Sequence, residues 1–459
     1  MAIQVVILAA GQGKRMHSSL PKGMHLLAGK PLLEHVISKA CAISSIPFPI
    51  VVYGHQAQVL HENFSHYALQ WILQNEQLGT GHALLQTLPH LAKEDHVLVL
   101  YGDVPLISID ILRQLIETTP QNAIGLLTAD WQHPGGYGRI KRDSQNRVIQ
   151  IVEEKEATLE ELAITEINPA IYFLPVTYLK KWLPQLTRQN AQQEYYLTDI
   201  ITFAVREKIV IHAVKATVPE EILGVNDRAQ LSFLERFYQR QLAEKWMRQG
   251  VTIYDPARLD IRGEVEIGAE TSLDVNVILE GRVVIGKGCT IGPNTILRHT
   301  VLGDYVEVKA NSIIDGAEIA EQCVIGPYAR IRPGTVLSSH VHIGNFVEIK
   351  NSEVGRFTKI NHLSYIGDSE IGKQVNVGAG TITCNYDGFN KHKTVIGDEV
   401  HIGSDTQLVA PITIGEGATI GAGSTVTKDV PKHQLTITHQ LTQRYIKDWQ
   451  RPKKKEDME

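Results

Sequence analysis

Between residues 267 and 427 the chain returns, with interruptions, to an aliphatic residue every six positions, often with glycine or another small or polar residue next. The clearest runs are Ile325, Ile331, Leu337, Ile343 and Ile349, and then Ile396, Ile402, Leu408, Ile414, Ile420 and Val426. A period of six matches neither a helix nor a flat alternating strand. It matches a coil with three short flat sides, each sending one aliphatic residue to the axis, which is a parallel β-helix of hexapeptide repeats. The phase breaks after Thr383, where residues 384–394 are too polar and irregular to form a side. They are predicted to be a loop thrown out from the coil, the kind of excursion on which repeat proteins carry function.

The rest of the chain divides around this coil. Residues 1–226 alternate strand-like and helix-like stretches, the pattern of an α/β domain with a mostly parallel sheet. Residues 227–250 read as a helical linker, because Leu231, Leu234, Tyr238, Leu242 and Trp246 fall three or four apart and Gly250 suits a C-terminal cap. Such a helix would be roughly 35 Å long, a rod between two domains. Residues 251–459 form the coil and its tail. A net charge of −5 gives no general attraction to nucleic acid or to an anionic membrane, so neither partner is expected. The apolar run at residues 5–10 is far too short to span a bilayer, and no stable membrane association is expected. The four cysteines are scattered, without zinc-site spacing, which points to a reducing compartment and a cytoplasmic protein. Arg451 with Lys453, Lys454 and Lys455 is either a phosphate-binding tail or a solvated end.

The first strand runs into Leu8-Ala9-Ala10-Gly11-Gln12-Gly13-Lys14-Arg15-Met16, followed by Leu20-Pro21-Lys22. Two glycines directly after a strand let backbone N–H groups approach phosphate oxygens, and Arg15 and Lys22 add cationic donors. The spacing is neither Walker A nor the dinucleotide fingerprint, and a bare Gly-x-Gly is as often a plain turn. With the Arg-Met and Leu-Pro-Lys appended, the segment resembles the signature of the sugar-1-phosphate nucleotidyltransferases. Gln74, Gly79-Thr80-Gly81-His82-Ala83 and Tyr101-Gly102-Asp103-Val104-Pro105 match further segments of that family. Asp103 ends a predicted buried strand, at the edge where α/β ligand sites lie, and a carboxylate there suits Mg²⁺. An isolated Asp before Val-Pro would be read as a turn former. The resemblance implies a metal ligand instead, with Asn226 as the second. It also implies that Leu8, Ala9, Ala10, Gly11, Lys22, Tyr101 and Gly102 line the UTP site. Gln74, Gly79 and Thr80 would meet the uracil, and Gly138, Glu153 and Asn168 the sugar.

In the coil, Arg332, Lys350, His362, Tyr365, Asn376, Asn385 and Tyr386 are dense in polar groups where small and aliphatic residues are needed. A lone histidine on a repeat wall is usually a bland surface residue. Its company changes the reading: Asn361-His362-Leu363-Ser364-Tyr365, Asn376-Val377-Gly378-Ala379-Gly380 and Thr383-Cys384-Asn385-Tyr386-Asp387-Gly388 occur in order. With these segments the chain resembles, over essentially its whole length, the bifunctional N-acetylglucosamine-1-phosphate uridyltransferase/glucosamine-1-phosphate acetyltransferase family. The resemblance implies an α/β Rossmann-like nucleotidyltransferase domain, a connecting helix, and a left-handed parallel β-helix of hexapeptide repeats assembled as a homotrimer. The usual crossover rule would give the opposite hand, so left-handedness rests on the resemblance alone. Acetyl-CoA, UTP and Mg²⁺ are the implied co-substrates and cofactor, with glucosamine-1-phosphate and N-acetylglucosamine-1-phosphate as acceptors.

Imidazole, with an ordinary pKa of about 6.5, suits removal of a proton from the substrate amine at working pH, which makes His362 the expected general base. Arg332 and Lys350 would hold the sugar phosphate, Tyr365 and Asn376 orient the sugar, and Asn385 and Tyr386 close the site from the loop. Ala379, Ser404 and Ala422 would line the path of acetyl-CoA, with a backbone N–H near Ala379 for the oxyanion. Two departures from the family pattern stand out. His439 occupies the place of an arginine toward the CoA phosphates, where neutral imidazole is the weaker partner. Pro169-Ala170 follows Asn168 where Thr-Gly is common, which removes a hydroxyl. One competing reading is a nucleotidyltransferase whose coil serves only assembly or regulation, which would not need the polar set around His362. Another is a scaffold with a decayed nucleotide pocket, which would not keep the phosphate loop and Asp103.

Overall fold

The computed structural model describes residues 2–54, 57–92, 95–438 and 447. Two compact units emerge, Met1–Leu242 and Ala243–Glu459, with the division falling inside the helix Arg228–Arg248. Among the described residues no helix is long and apolar enough to cross a membrane.

The first unit is built on a ten-stranded sheet. Gln70–Leu73, Ile50–Tyr53, Ile3–Ala9 and His96–Tyr101 lie side by side and parallel. Tyr172–Pro175 then joins antiparallel, between His96–Tyr101 and Ile124–Asp130. Near-continuous apolar runs such as Val5–Leu8 fit strands covered on both faces, and separate apolar clusters do pack on the two sides of the sheet. Chain order reverses between Ile3–Ala9 and His96–Tyr101, and Leu8 pairs with Tyr101. The crevice outside the carboxyl ends of two such strands is where open α/β sheets take ligands.

The helix Arg228–Arg248 spans about 32 Å at 1.5 Å per residue. Its first half is no bare rod. Leu234 is buried in the core of the first unit, with Leu231, Phe237 and Tyr238 packed against the same cluster.

The second unit is the expected parallel coil. One side is an eleven-stranded parallel ladder of very short strands. The other two sides merge into one sixteen-stranded sheet, because strands such as Val277–Ile285 are long enough to turn a corner. The periodic residues Ile325, Ile331, Leu337, Ile343 and Ile349 are all at most 1% exposed, so the six-residue period is the axis of the coil. Corners fall on left-handed backbone, as at Asn276, Asn294 and Asn311. Asparagine tolerates that conformation better than most residues. The three also form a ladder, with Asn276 Nδ2 donating to Asn294 Oδ1 at 2.9 Å and Asn294 Nδ2 to Asn311 Oδ1 at 3.1 Å. The excursion predicted after Thr383 occupies residues 385–393, between the strands Ile382–Cys384 and Thr394–Ile396. Around it the register stretches, since Val377 pairs with Ile402 whereas Ile402 pairs with Ile420.

Ala170 adopts φ 66°, a left-handed conformation that costs an L-residue about 1–2 kcal/mol, part of which glycine would lose again through its freer unfolded chain. Ala170→Gly is therefore expected to stabilise the first unit by about 0.5–1 kcal/mol in thermal or denaturant unfolding. A loss of stability would show that the strain is not felt.

Candidate functional site

The first site opens where the strand Ile3–Ala9 ends. Gly13, at φ 60°, leads into a single 3-10 turn, Lys14–Met16, and a Cβ on Gly13 would stand 3.0 Å from that of Lys22. Gly11 differs: a Cβ there would meet nothing within 4 Å, so no packing inside the chain requires glycine at that position. Its bareness keeps the mouth of a cleft of about 590 Å³ open. Leu8, Ala9, Ala10, Gly11, Arg15, Lys22, Gln74, Gly79, Thr80, Tyr101, Gly102, Asp103 and Asn226 all line that cleft. Gly79, at φ 109°, presses on the backbone of Tyr195, whose carbonyl oxygen would lie 2.7 Å from an added Cβ. The buried Gln74 amide donates to the Gly79 carbonyl at 3.2 Å, and Thr80 Oγ1 accepts from the Leu197 N–H at 3.2 Å.

Three segments meet at Asp103. Its carbonyl oxygen accepts from the Val225 N–H at 2.8 Å, and the Asn226 N–H is held by Gln230 Oε1 at 2.7 Å. The Lys22 ammonium pairs with Asp103 Oδ2 and donates to Asn226 Oδ1 at 2.8 Å. Two oxygen donors thus converge on one compact cation, which is the donor chemistry a hard divalent ion takes, its remaining positions left to phosphate or water oxygens. The residues fit such an ion.

Gly138, Glu153 and Asn168 form a second cluster beside the cleft. A Cβ on Gly138 would lie 3.7 Å from both Asn168 Cβ and Glu153 Oε1. Glu153 accepts from Thr198 Oγ1 at 2.9 Å, and burial pushes its carboxyl above the ordinary range. Tyr101 links cluster to cleft: burial raises its phenol, which bonds Thr80 and feels both Glu153 and Asp103. Sequence reasoning missed Gln12, Gln77 and Glu194, which also line the cleft, and Thr198. The polar-aromatic run Glu194-Tyr195-Tyr196-Leu197-Thr198-Asp199 was the signal for the last two.

The second site lies on the coil. Asn345 pairs with His362 across adjacent turns. Continued through the same ladder, that register sets Ala379, Ser404 and Ala422 in line above His362, one per turn. The exposed His362 has Nδ1 at 2.9 Å from Asn345 Oδ1. An amide oxygen only accepts, so Nδ1 is the donor in this contact, which leaves Nε2 as the lone-pair atom of the neutral ring. Asn345 is a partner that sequence reasoning missed, although it stands one coil turn before His362.

On the neighbouring side, Arg332 pairs with Glu348 at 2.7 Å and Lys350 lies 3.6 Å from Asp368. Asp368 also accepts from Asn385 Nδ2 at 2.5 Å and Asn351 Nδ2 at 2.6 Å. Burial opposes its charge, yet these bonds hold its carboxyl below the ordinary range. A Cβ on Gly367 would fall 2.6 Å from both Asn385 Nδ2 and Tyr365 Oη, so the two groups meet over that glycine. Asn376 stands on the outer face of the ladder, between Lys359 and His401. Tyr386 bridges to Lys391 within the excursion, which Asp387 knots by accepting from the Phe389 and Asn390 N–H groups at 2.8 and 2.7 Å. Lys391, also missed, lies against Lys350, whose neighbouring ammonium pushes it down. His439 and the basic tail lie outside the described residues.

The MobA-like NTP transferase domain family matches residues 5–203, the GMPPB C-terminal domain 261–355, and the bacterial transferase hexapeptide (six repeats) 393–428. The coil is a left-handed β-helix of that hexapeptide kind. Whole-chain relatives match as well. The "Bifunctional protein GlmU" of Aromatoleum aromaticum is 51% identical over 453 residues, covering 99% of each chain. That of Azoarcus sp. is 51% identical over 452 residues, covering 98% of this chain and all of the other. The Marinobacter nauticus protein of the same name is 50% identical over 452 residues, covering 98% and 99%. With both sites built on the two matched folds, the chain belongs to the GlmU family of bifunctional transferases.

Proposed function

We propose that the chain makes UDP-N-acetylglucosamine in two steps. Acetyl transfer from acetyl-CoA to glucosamine-1-phosphate comes first. Uridylyl transfer from UTP to N-acetylglucosamine-1-phosphate follows, with release of pyrophosphate. The chain is an enzyme, nucleotidyltransferase in one half and acyltransferase in the other. The observation that carries the two-step reading is the column Asn345, His362, Ala379, Ser404 and Ala422. A coil used only for assembly has no need of an exposed imidazole with a fixed tautomer below a run of small residues.

In acetyl transfer, His362 Nε2 takes the proton of the substrate amine as its nitrogen attacks the thioester carbonyl, and CoA leaves as thiolate. Arg332, Lys350 and the newly found Lys391 gather positive charge for the sugar phosphate. Tyr365, Asn376, Asn385 and Tyr386 orient the sugar. The small residues of the column leave the wall open for the pantetheine arm. His439 would stand toward the CoA phosphates.

In uridylyl transfer the sugar phosphate is already an anionic nucleophile, so the task is to hold two anions together. The loop N–H groups around Gly11, with Arg15 and Lys22, hold the triphosphate. Gln74, Gly79 and Thr80 receive the base, and Gly138, Glu153 and Asn168 the sugar. Asp103 and Asn226 would hold a divalent ion, Mg²⁺ in our reading, which when bound offsets charge on the phosphates. Lys22, now held between those two oxygens, is then free to turn its ammonium onto a phosphate. Homotrimeric assembly and a cytoplasmic location complete the reading, since the cysteines suit a reducing compartment.

His362→Ala is expected to lower acetyl transfer by about 10²–10⁴-fold while leaving uridylyl transfer nearly unchanged, and Asp103→Ala to do the reverse. Separate assays of the two purified variants check this, and loss of both activities from either change refutes independent sites. Gly11→Ala is expected to melt like the parent chain but to bind UTP at least about tenfold more weakly by calorimetry, because only the ligand meets the new methyl. Unchanged UTP affinity would mean that the loop's bare face is not where phosphate sits. Native mass spectrometry of the full chain is expected to give three times the monomer mass. A monomer fully active in acetyl transfer would rule out a site shared between copies.

A further inference from the structure

The cluster beside Gly138 includes a buried phenol that neither reaction has used. Tyr172 begins the strand Tyr172–Pro175, has no exposed surface, and packs in the cluster on the sheet face that carries Tyr101. Its hydroxyl oxygen accepts a hydrogen bond from Asn168 Nδ2 at 2.9 Å, with both side chains buried. The opposite atom of the same amide, Asn168 Oδ1, accepts from the Ala170 N–H at 2.9 Å.

These two bonds determine which way the amide faces. A backbone N–H can only donate, so the oxygen must stand on the Ala170 side and the nitrogen on the Tyr172 side. One amide hydrogen and one oxygen lone pair then remain for a ligand, next to Gly138 and Glu153. Sugar hydroxyls, each donor and acceptor at once, match that pair. The left-handed backbone of Ala170 turns the chain so that its N–H reaches back to Asn168, but nothing in that turn satisfies the amide nitrogen. Tyr172 does.

We propose that Tyr172 is a positioning residue for the sugar phosphate in uridylyl transfer, acting through the Asn168 carboxamide. The inference rests on the assignment of Asn168 to the sugar. Remove the phenol oxygen and a buried N–H loses its partner, so the amide tilts or turns to recover one and presents its free atoms poorly. Phenylalanine keeps the ring and its packing, which makes Tyr172→Phe a change of one hydrogen bond.

The test is steady-state kinetics on four proteins: the parent chain, Tyr172→Phe, Asn168→Ala and the double variant. Tyr172→Phe is expected to raise KM for N-acetylglucosamine-1-phosphate about fivefold, the worth of one hydrogen bond. KM for UTP and kcat should change by less than about twofold, and acetyl transfer by the same preparation should be unaltered. On the Asn168→Ala background, Tyr172→Phe is expected to add nothing, since its target is gone. Four results overturn the proposal. In one, Asn168→Ala raises the sugar KM and Tyr172→Phe does not. In another, Tyr172→Phe raises both KM values together, as loosened packing would. In a third, the two effects add in full. Last, an unchanged sugar KM in Asn168→Ala removes the assignment of Asn168 itself, and the role of Tyr172 goes with it.

Discussion

Parallel stacking in the coil leaves each residue one neighbour above and one below, seventeen or eighteen positions away in most turns, and everything in the second unit follows from that. Ile343 lies on Ile360, Ile360 on Val377, and Ile402 on Ile420. A slip of one position would expose each axial aliphatic and bury its polar neighbour, so the buried column fixes the exposed ones with it. The line from Asn345 through His362 to Ala422 is therefore a consequence of the six-residue period. Small residues in that line leave the wall beside the imidazole uncovered, while Asn345 Oδ1 holds the Nδ1 edge of the ring. The excursion at 385–393 adds its residues within a single turn, and the next turn resumes register at Ile402. A repeat can therefore carry an irregular loop without disturbing the column on either side.

The first unit reaches a comparable result by different means. Because Leu8 and Tyr101 are register partners, the glycine loop and the Asp103 turn leave the sheet next to each other. The Val225–Asp103 bond then brings in a segment more than a hundred residues away in sequence. Lys22 sits where these three meet, its charge balanced by one carboxylate and one amide oxygen. Under the proposed function a triphosphate would take that ammonium and a divalent ion those two oxygens. Each side of the pair would then have a better partner in the filled site than it has now.

What could be read in the sequence was whatever is local or periodic. The axial aliphatics, the glycine loop after the first strand, and the polar interruption after Thr383 each announce themselves within a few residues. The linker was legible as a helix from Leu231, Leu234 and Tyr238, but where that apolar face lands was not, and it lands on the first core. Residues identified by their neighbours in space were hidden. Glu194 reaches the cleft only because Tyr195 docks on the Gly79 turn. Lys391 gains its meaning from Lys350, two turns away on the side of the coil from which the excursion leaves. Asn345 was half visible: the period gives its position, but an asparagine at a corner ordinarily satisfies only its own turn.

The departure at Pro169-Ala170 shows how the fold absorbs an altered motif. Proline confines Asn168 to extended backbone, which suits the strand Glu166–Asn168 that it ends. The chain must then turn at once, and Ala170 does so at φ 66° although alanine dislikes that region. The Asn168 side chain supports the turn by accepting the Ala170 N–H, the mimicry of a backbone turn that asparagine performs well. A missing hydroxyl is thus met with rigidity: the proline ring, the amide bond and the phenol of Tyr172 all constrain one carboxamide. Rigid placement lowers the entropy lost when a ligand is gripped, so under the proposed function a site with one donor fewer would still hold its sugar in a single orientation.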